Sequence, residues 1–343
     1  MTSMLWWYIS SPMSRGSLRG RSSTWTAAGL FLMGADVSGE DYILGVDIGG
    51  TEIKIVRVTP EGEVLDVHRI ETKENTDDVE VDDWPAYVHM WIDSIQEDYS
   101  QRAIVIGISA PGLVASDNRS IAWMQGRMEA LQGVDWTEVF ELKTIIPVIN
   151  DAHAALLGEC WKGPAAGYRN AIMLTLGTGV GGAILVNGEL LQGGIGRAGH
   201  LGHICLDAHG EPDIVNTPGS LEDAIGNCTI EKRSGGRFTS THALVDAHAS
   251  GDEDATRVWL ESVHHLACAL VSFINIVDPE VMVLGGGIAG AGDLLLEPLR
   301  AEMSKLEWRP HGDAVPIVIA SLGDLAGAYG AAYFALLHGK EDE

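Results

Sequence analysis

The sequence predicts an α/β protein made of two similar half-chains, and three observations carry that expectation. Apolar stretches of strand length alternate with segments of helical periodicity through both halves. A strand–Gly/Thr turn–strand unit at residues 44–58 recurs at 171–191, and the turns that follow also match, Glu61-Gly62-Glu63 after the first and Asn187-Gly188-Glu189 after the second. Gly-rich turns fall at strand ends three times, the third being Gly285-Gly286-Gly287.

In the first unit an apolar run ends at Asp47, the chain turns through Gly49 and Gly50, and alternating apolar residues resume at Ile53. Glycines there let a ligand approach the backbone, Thr51 adds a hydroxyl, and successive N–H groups in such a turn can cradle phosphate oxygens. Asp47 at the strand end is placed to orient a hydrated Mg²⁺. Taken alone, the motif also reads as an ordinary Gly-Gly hairpin with an incidental aspartate. The second copy, with Gly177, Thr178, Gly179 and Gly181, turns the pair into a signal for a nucleotide held between two halves.

Between the two units, Glu61–Glu71 predicts a third strand of an antiparallel meander and the acidic Asn75–Asp83 a loop. Trp84–Tyr99 follows with helical spacing. The strand Ala103–Ser109 runs into Ala110-Pro111-Gly112, at the kind of strand end where α/β proteins bind ligands. Ile145–Ile149 predicts another strand, followed by Asn150-Asp151 and the Ala-rich helix Ala152–Trp161. Asp151 is then either a helix N-cap or a catalytic carboxylate, and position alone favours the cap.

After the second unit comes a Gly- and His-rich loop, Gln192 to His209, and then a capped helix start at Pro218–Asp223. Helices are expected near Thr241–Ala249 and from Asp254 to about Ile276. The buried strand Val281–Leu284 leads into the third Gly turn and a further helix. Val315–Ile319 and the small-residue helix Ala326–His338 complete the chain.

At 343 residues, with 46% hydrophobic and 20% charged residues, two domains with sizeable cores are expected. The net charge of −26 argues against a nucleic-acid surface, whose footprint is basic, and fits a soluble protein handling small ligands. No run reads as long and apolar enough to span a membrane. Four scattered cysteines with no C-x-x-C pair point to free thiols in a reducing compartment. Residues 1–40 lack any acidic residue before Asp36 and read as a disordered extension or a start placed too early, with Met33 as a plausible start; they are too short for a helix-turn-helix domain.

Together Asp47-Ile-Gly-Gly-Thr51, Ala110-Pro-Gly112, Asn150-Asp151, Gly177-Thr-Gly-Val-Gly-Gly182, the Gly196–His203 loop and Leu284-Gly-Gly-Gly-Ile288 resemble the ROK family (repressors, open reading frames, kinases) of the actin-like and hexokinase-like ATPase superfamily, over about residues 42–338. The resemblance implies two ribonuclease-H-like lobes with a central nucleotide and sugar cleft. One lobe would span residues 41–150, completed by the helix at 326–338, and the other 151–325. It implies ATP-dependent phosphorylation of a hexose or hexosamine in the cytoplasm, with ATP, Mg²⁺ and a small sugar as ligands, no nucleic acid or membrane partner, and a homodimer as one option. Asp47, Gly49, Gly50, Thr51, Lys54, Gly177, Thr178 and Gly179 would serve phosphates and Mg²⁺. Gly285, Gly286 and Gly287 would border the adenosine. Gly112, Asn150, His200, His203 and Glu222 would meet the sugar, and Asp151 becomes the base that takes the hydroxyl proton.

Three departures from the family pattern carry expectations of their own. The sugar loop usually reads Glu-x-Gly-His, but here it is His200-Leu-Gly-His203. The family's zinc cysteines would fall near Asp213, Val215 and Ser220, so no zinc is expected; a substitute set of His203, Cys205 and His209 lacks a fourth ligand. Glu52 stands where Lys commonly follows Gly-Gly-Thr, leaving Lys54 to compensate. The competing expectation is a sugar-sensing regulator or degenerate kinase that binds sugar without turnover.

Overall fold

A computed structural model describes residues 41–72, 84–97, 103, 105–124 and 128–339. The N-terminal extension and the acidic loop at 75–83 lie outside the described residues.

The first half contains β1 (Ile43–Ile48), β2 (Glu52–Val58), β3 (Val64–Glu71), α1 (Trp84–Glu97), β4 (Val105–Ala110), the short hairpin of β5 (Leu113–Val114) and β6 (Ile121–Trp123), α2 (Trp136–Val139) and β7 (Val148–Asn150). There follow α3 (Asp151–Lys162), β8 (Ala171–Leu176), β9 (Val180–Val186), β10 (Glu189–Leu190), α4 (Leu221–Ile225), α5 (Ile230–Arg233) and α6 (Thr241–Ala249). The last elements are α7 (Glu253–Val277), β11 (Val281–Gly285), α8 (Asp293–Leu306), β12 (Ile317–Ile319) and α9 (Ala326–His338).

The duplication seen in the sequence is repeated in topology. One five-stranded sheet has the order β3-β2-β1-β4-β7 and the other β10-β9-β8-β11-β12. In each, the first three strands form an antiparallel meander and the last two run parallel to the first. β1 and β8 are buried along their length except at one matching position, Asp47 in β1 and Thr175 in β8. Such near-continuous apolar strands need cover on both sheet faces, which the helices supply.

Two expected strands prove shorter, for a shared reason. β7 begins just after Pro147 and β12 just after Pro316. Neither proline has an N–H for a ladder, but each carbonyl accepts from the adjacent parallel strand, from Ile108 N (3.0 Å) and Met282 N (2.9 Å). β3 also starts late, at Val64, because Thr59–Gly62 closes a turn with Gly62 N donating to Thr59 O at 2.8 Å.

Helix α9 lies on β1, β2 and β4 and against α3, while α3 in turn covers β8 and β9. These contacts are backbone-close. A methyl group on Gly45 or Gly107 would fall 2.0 or 2.1 Å from the carbonyl oxygen of Ala328 or Ala331. Helix α7 is long and apolar enough to cross a bilayer, a correction to the sequence expectation that no run would be. Its apolar stripe, including Trp259, Val263, Leu266 and Leu270, is instead buried in the core of the second half.

Candidate active site

Asp47 sits where several elements converge. In the sheet it lies opposite Lys54 on one side and Ser109 on the other, and Ser109 Oγ donates to its Oδ1 at 2.7 Å. A methyl group on Gly327, in the first turn of α9, would come within 2.6 Å of the Asp47 carboxylate, so the helix start abuts it. Burial raises the Asp47 carboxyl to about 6; the Ser109 bond opposes this, Asp151 adds to it, Lys54 opposes it and Asp324 adds to it. Ser109, Asp324 and Gly327 come to Asp47 from distant parts of the chain, and local motif reading has no signal for them.

At the first turn of α3 the structure separates two roles that the sequence left open. Asn150 is the N-cap: its Oδ1 accepts from Ala152 N (3.0 Å) and His153 N (3.3 Å), and its Nδ2 donates to Gly112 O (3.1 Å). The capping option considered for Asp151 thus falls to its neighbour. Gly112 must be glycine here, with φ of 104° and Ile121 and Trp123 both 2.8 Å from where a methyl would stand. Asp151 is exposed to solvent but walled in by protein, as a group on the floor of an open cleft would be. That partial desolvation holds its carboxyl above the ordinary range, against the Ala152 amide and the nearby His200, which favour the ionised form. Asp151 Oδ1 accepts from Ala152 N at 2.8 Å.

The second Gly/Thr turn borders the same helix start, since a methyl on Gly181 would lie 3.3 Å from the Ala152 methyl. The turn is clamped from behind: Asn227 N donates to Gly177 O (2.9 Å) and Cys228 N to Thr178 O (2.8 Å). Glu222 is found at this turn, its Oε2 accepting from Val180 N at 2.9 Å. Gly286 has φ of 82°, and a methyl on it would lie 2.4 Å from Leu176 O, so the third Gly turn adjoins the second. Gly49 closes the first turn by donating to Glu52 O at 3.1 Å, with Gly50 and Thr51 at its tip.

In the Gly- and His-rich loop, His200 lies within electrostatic reach of Asp151. Burial lowers its pKa, as does His203, while Asp151 acts the other way. His203 Nδ1 is 2.9 Å from Asp213 Oδ2. Sequence reasoning missed His153, which burial pushes down to about 4. Its neutral ring places Nε2 3.1 Å from Ala198 O, tying α3 to the loop that carries His200. A cavity of about 150 Å³ is lined by Asn150, His153, Asn118 and Gln192, the last two joined by a side-chain hydrogen bond of 2.9 Å.

Among the described residues, no group of three or more His, Cys, Asp or Glu side chains is placed to hold a metal. The set His203, Cys205 and His209 is not brought together there, and His203 Nδ1 faces the Asp213 carboxylate instead. For Mg²⁺ the fit is different in kind. A single carboxylate crowded by Asp151 and Asp324 suits a cation bound mainly by water and phosphate oxygens.

Paired five-stranded sheets of one topology, with Gly turns and carboxylates gathered at their strand ends, define an actin-like ATPase fold. Within that class the chain belongs to the ROK family, whose pattern matches residues 43–338. It is 30% identical over 325 residues to a glucokinase of Halalkalibacterium halodurans, covering 85% of this chain and 94% of that protein. Among solved structures it resembles the ROK hexokinase of Thermus thermophilus, with a TM-score of 0.72, 26% identity and coverage of 87% of this chain and 100% of that one. It also resembles a ROK family glucokinase of Streptomyces griseus in complex with glucose and AMPPNP, with a TM-score of 0.68, 26% identity and coverage of 85% and 98%.

The crowding at Asp47 has a measurable consequence. Its folded pKa of about 6 exceeds the 3.8 of an unperturbed aspartate, so the folded state holds the extra proton between those values and stability falls as pH rises through that window. Above it, the ionised carboxylate costs on the order of 2–3 kcal/mol. Asp47→Asn keeps the acceptor for Ser109 and removes the charge. Urea denaturation should show the variant more stable than wild type at pH 7.5 by on the order of 1–3 kcal/mol, with the gain vanishing near pH 4. Equal stability at pH 7.5 would contradict the buried-charge description.

Proposed function

We propose that the protein transfers the γ-phosphoryl group of ATP to a hydroxyl of a hexose or hexosamine, with Asp151 as general base. The observation that carries this reading is the position of Asp151, at the start of α3, within electrostatic reach of Asp47 and beside the second Gly/Thr turn. A sugar hydroxyl is a poor nucleophile until a carboxylate takes its proton, which contributes roughly 10²–10⁴-fold. The hydroxyl oxygen bonds to the γ-phosphorus, the bond to the β,γ-bridging oxygen breaks, ADP leaves, and the proton passes to Asp151. Positioning and charge neutralisation supply the rest.

The amides of Gly49 and Gly177 close their own turns, which leaves Thr51, Thr178 and Gly179 to offer backbone N–H groups to the phosphates, and Gly285–Gly287 borders the adenosine. Asp47 would hold Mg²⁺ through water, and the ion would supply neutralisation of phosphate charge there. Glu222 braces the Val180 amide and so shapes the second turn. Asn150 is committed to its cap and to Gly112 O through Oδ1 and Nδ2, and it meets the sugar with what hydrogen-bonding capacity remains.

Asp151→Asn preserves shape and removes the proton acceptor. We expect kcat for ADP release to fall by roughly 10²–10⁴ with KM for ATP little changed. A near-wild-type kcat would remove Asp151 from the chemistry. Should the wild-type protein stay silent across a panel of neutral and N-acetylated hexoses while binding one of them, the sugar-sensing reading would replace this one.

His200 sets the expected preference among sugars. An ionised carboxylate at this point accepts from two hydroxyls and donates to none, whereas a neutral imidazole offers one donor and one acceptor. His200 is kept neutral by burial. It therefore favours a sugar presenting an acceptor, such as an N-acetyl carbonyl, over one with two plain hydroxyls. His200→Glu should shift the ratio of kcat/KM for glucose over N-acetylated hexoses upward by about tenfold or more. An unchanged ratio would show that His200 does not read the sugar.

A further inference from the structure

Residues 204–220 link the His200–His203 segment to α4, and Asp213 is their hub. Its side chain is wholly shielded from solvent. Oδ1 accepts from the amides of Val215 (2.9 Å) and Thr217 (2.8 Å), and Oδ2 lies 2.9 Å from His203 Nδ1. The backbone closes the same turn, with Asp213 N donating to Thr217 O and Asn216 N to Asp213 O, both at 2.9 Å. Cys205 bridges to Ser220, whose hydroxyl accepts from Asp223 N and caps α4. Glu222 on that helix braces the Gly177–Gly179 turn through Val180 N. One connected set of bonds thus runs from the sugar-type loop to the phosphate-type turn.

This loop is where the resemblance places zinc cysteines, and the residues present do not fit zinc. Val215 offers no ligand atom, and the Asp213 oxygens are already taken by two amides and an imidazole. We propose that Asp213 replaces the metal as the group that fixes the loop, and that in doing so it sets the tautomer of His203. An ionised carboxylate only accepts, so the hydrogen of the neutral imidazole sits on Nδ1 and Nε2 is left as an acceptor. A metal on the same nitrogen would leave the hydrogen on Nε2 and make that atom a donor. Exchange of metal for carboxylate therefore inverts the polarity that His203 presents. The ring is 24% exposed, and Nε2 has no hydrogen bond among the described residues, so it is open to a ligand. The inversion also answers the change at His200: an acceptor-only carboxylate is lost at 200, and an acceptor is gained at 203. Asp213 is on this account a positioning residue that acts on the sugar through His203.

The test is ¹⁵N NMR of the histidine-labelled full-length protein at about pH 9, above the ordinary histidine range, together with its metal content. The expected result is less than a tenth of an equivalent of zinc and a His203 resonance pair with the hydrogen on Nδ1. Asp213→Asn keeps an oxygen for the Val215 and Thr217 amides but turns an NH₂ towards His203. It should move the hydrogen to Nε2 and raise KM for the better of glucose and N-acetylglucosamine about tenfold, with KM for ATP and the Tm near wild type. A wild-type His203 protonated on Nε2, or one zinc per chain, would overturn the proposal; these two readings decide it even if Asp213→Asn does not fold. An inverted tautomer with an unchanged sugar KM would overturn the link to the sugar. Only the KM measurement rests on the kinase reading, so an inactive enzyme with the Nδ1 tautomer would count against that reading alone.

Discussion

Helices α3 and α9 meet backbone to backbone: a methyl group on Gly330 would stand 1.7 Å from Ala154 O, and one on Gly158 2.6 Å from Ala326 O. No side chain separates them. On its other side α9 touches the first sheet equally closely, at Gly45 and Gly107, while α3 lies against β8 and β9 of the second. The two helices are thus a thin seam between the duplicated sheets. Because α3 starts directly at the end of β7 and α9 starts after a 3₁₀ turn (Gly323–Leu325) that follows β12, the seam brings Asp151 at the start of α3 and Gly327 at the start of α9 to the tip of β1, where Asp47 lies. Small residues along α9 have no polar chemistry of their own, yet the approach of Asp151 to Asp47 depends on them. Interiors are close-packed enough that even one added methylene there must displace backbone.

What the seam assembles is an electrostatic tension. Asp47 is pushed up to about 6 by burial and by Asp151 and Asp324, and Asp151 is itself raised by burial. Carboxylates brought together in this way destabilise the protein, and on the proposed function a cation with phosphate oxygens between them would relieve the strain. Stability given up at a site of this kind is a common accompaniment of function. The second half has no carboxylate at the equivalent place. Thr175 occupies the position of Asp47, with Gly181 and Gly285 beside it where the first half has Lys54 and Ser109. The duplicated frame has therefore diverged: the first half carries a carboxylate at this strand position, and the second has Thr175 between two glycines, with the Glu222 carboxylate bonded to the turn amide of Val180.

Much of this was legible in the sequence because the signals were local. A Gly/Thr turn between two apolar runs identifies itself, and the second copy at 171–191 gave the duplication before any topology was known. Asn150-Asp151 was readable as a strand-to-helix junction, although which of the two caps the helix depends on side-chain geometry that no spacing encodes. Partners far apart in the chain were not legible. Ser109 and Asp324 reach Asp47 only through folding, His153 looks like one more residue of an Ala-rich helix, and nothing near Asp213 announces that its carboxylate will meet His203. Helix α7 shows the converse: its composition meets the length and apolarity of a bilayer-crossing segment, and only the packing of Trp259, Val263 and Leu270 shows what covers its apolar stripe.

On the proposed function, the α3–α9 seam would present Asp151 to a sugar hydroxyl while the Gly turns hold the nucleotide. A crystal structure with Mg²⁺, AMPPNP and a phosphorylatable hexose tests it most directly. The account predicts one sugar hydroxyl oxygen at roughly 2.6–3.2 Å from the Asp151 carboxylate and in line with the γ-phosphorus, with the β- and γ-phosphates between the turns at Gly49–Thr51 and Gly177–Gly179. A sugar seated with no hydroxyl in reach of Asp151, or a nucleotide bound away from both turns, would contradict it.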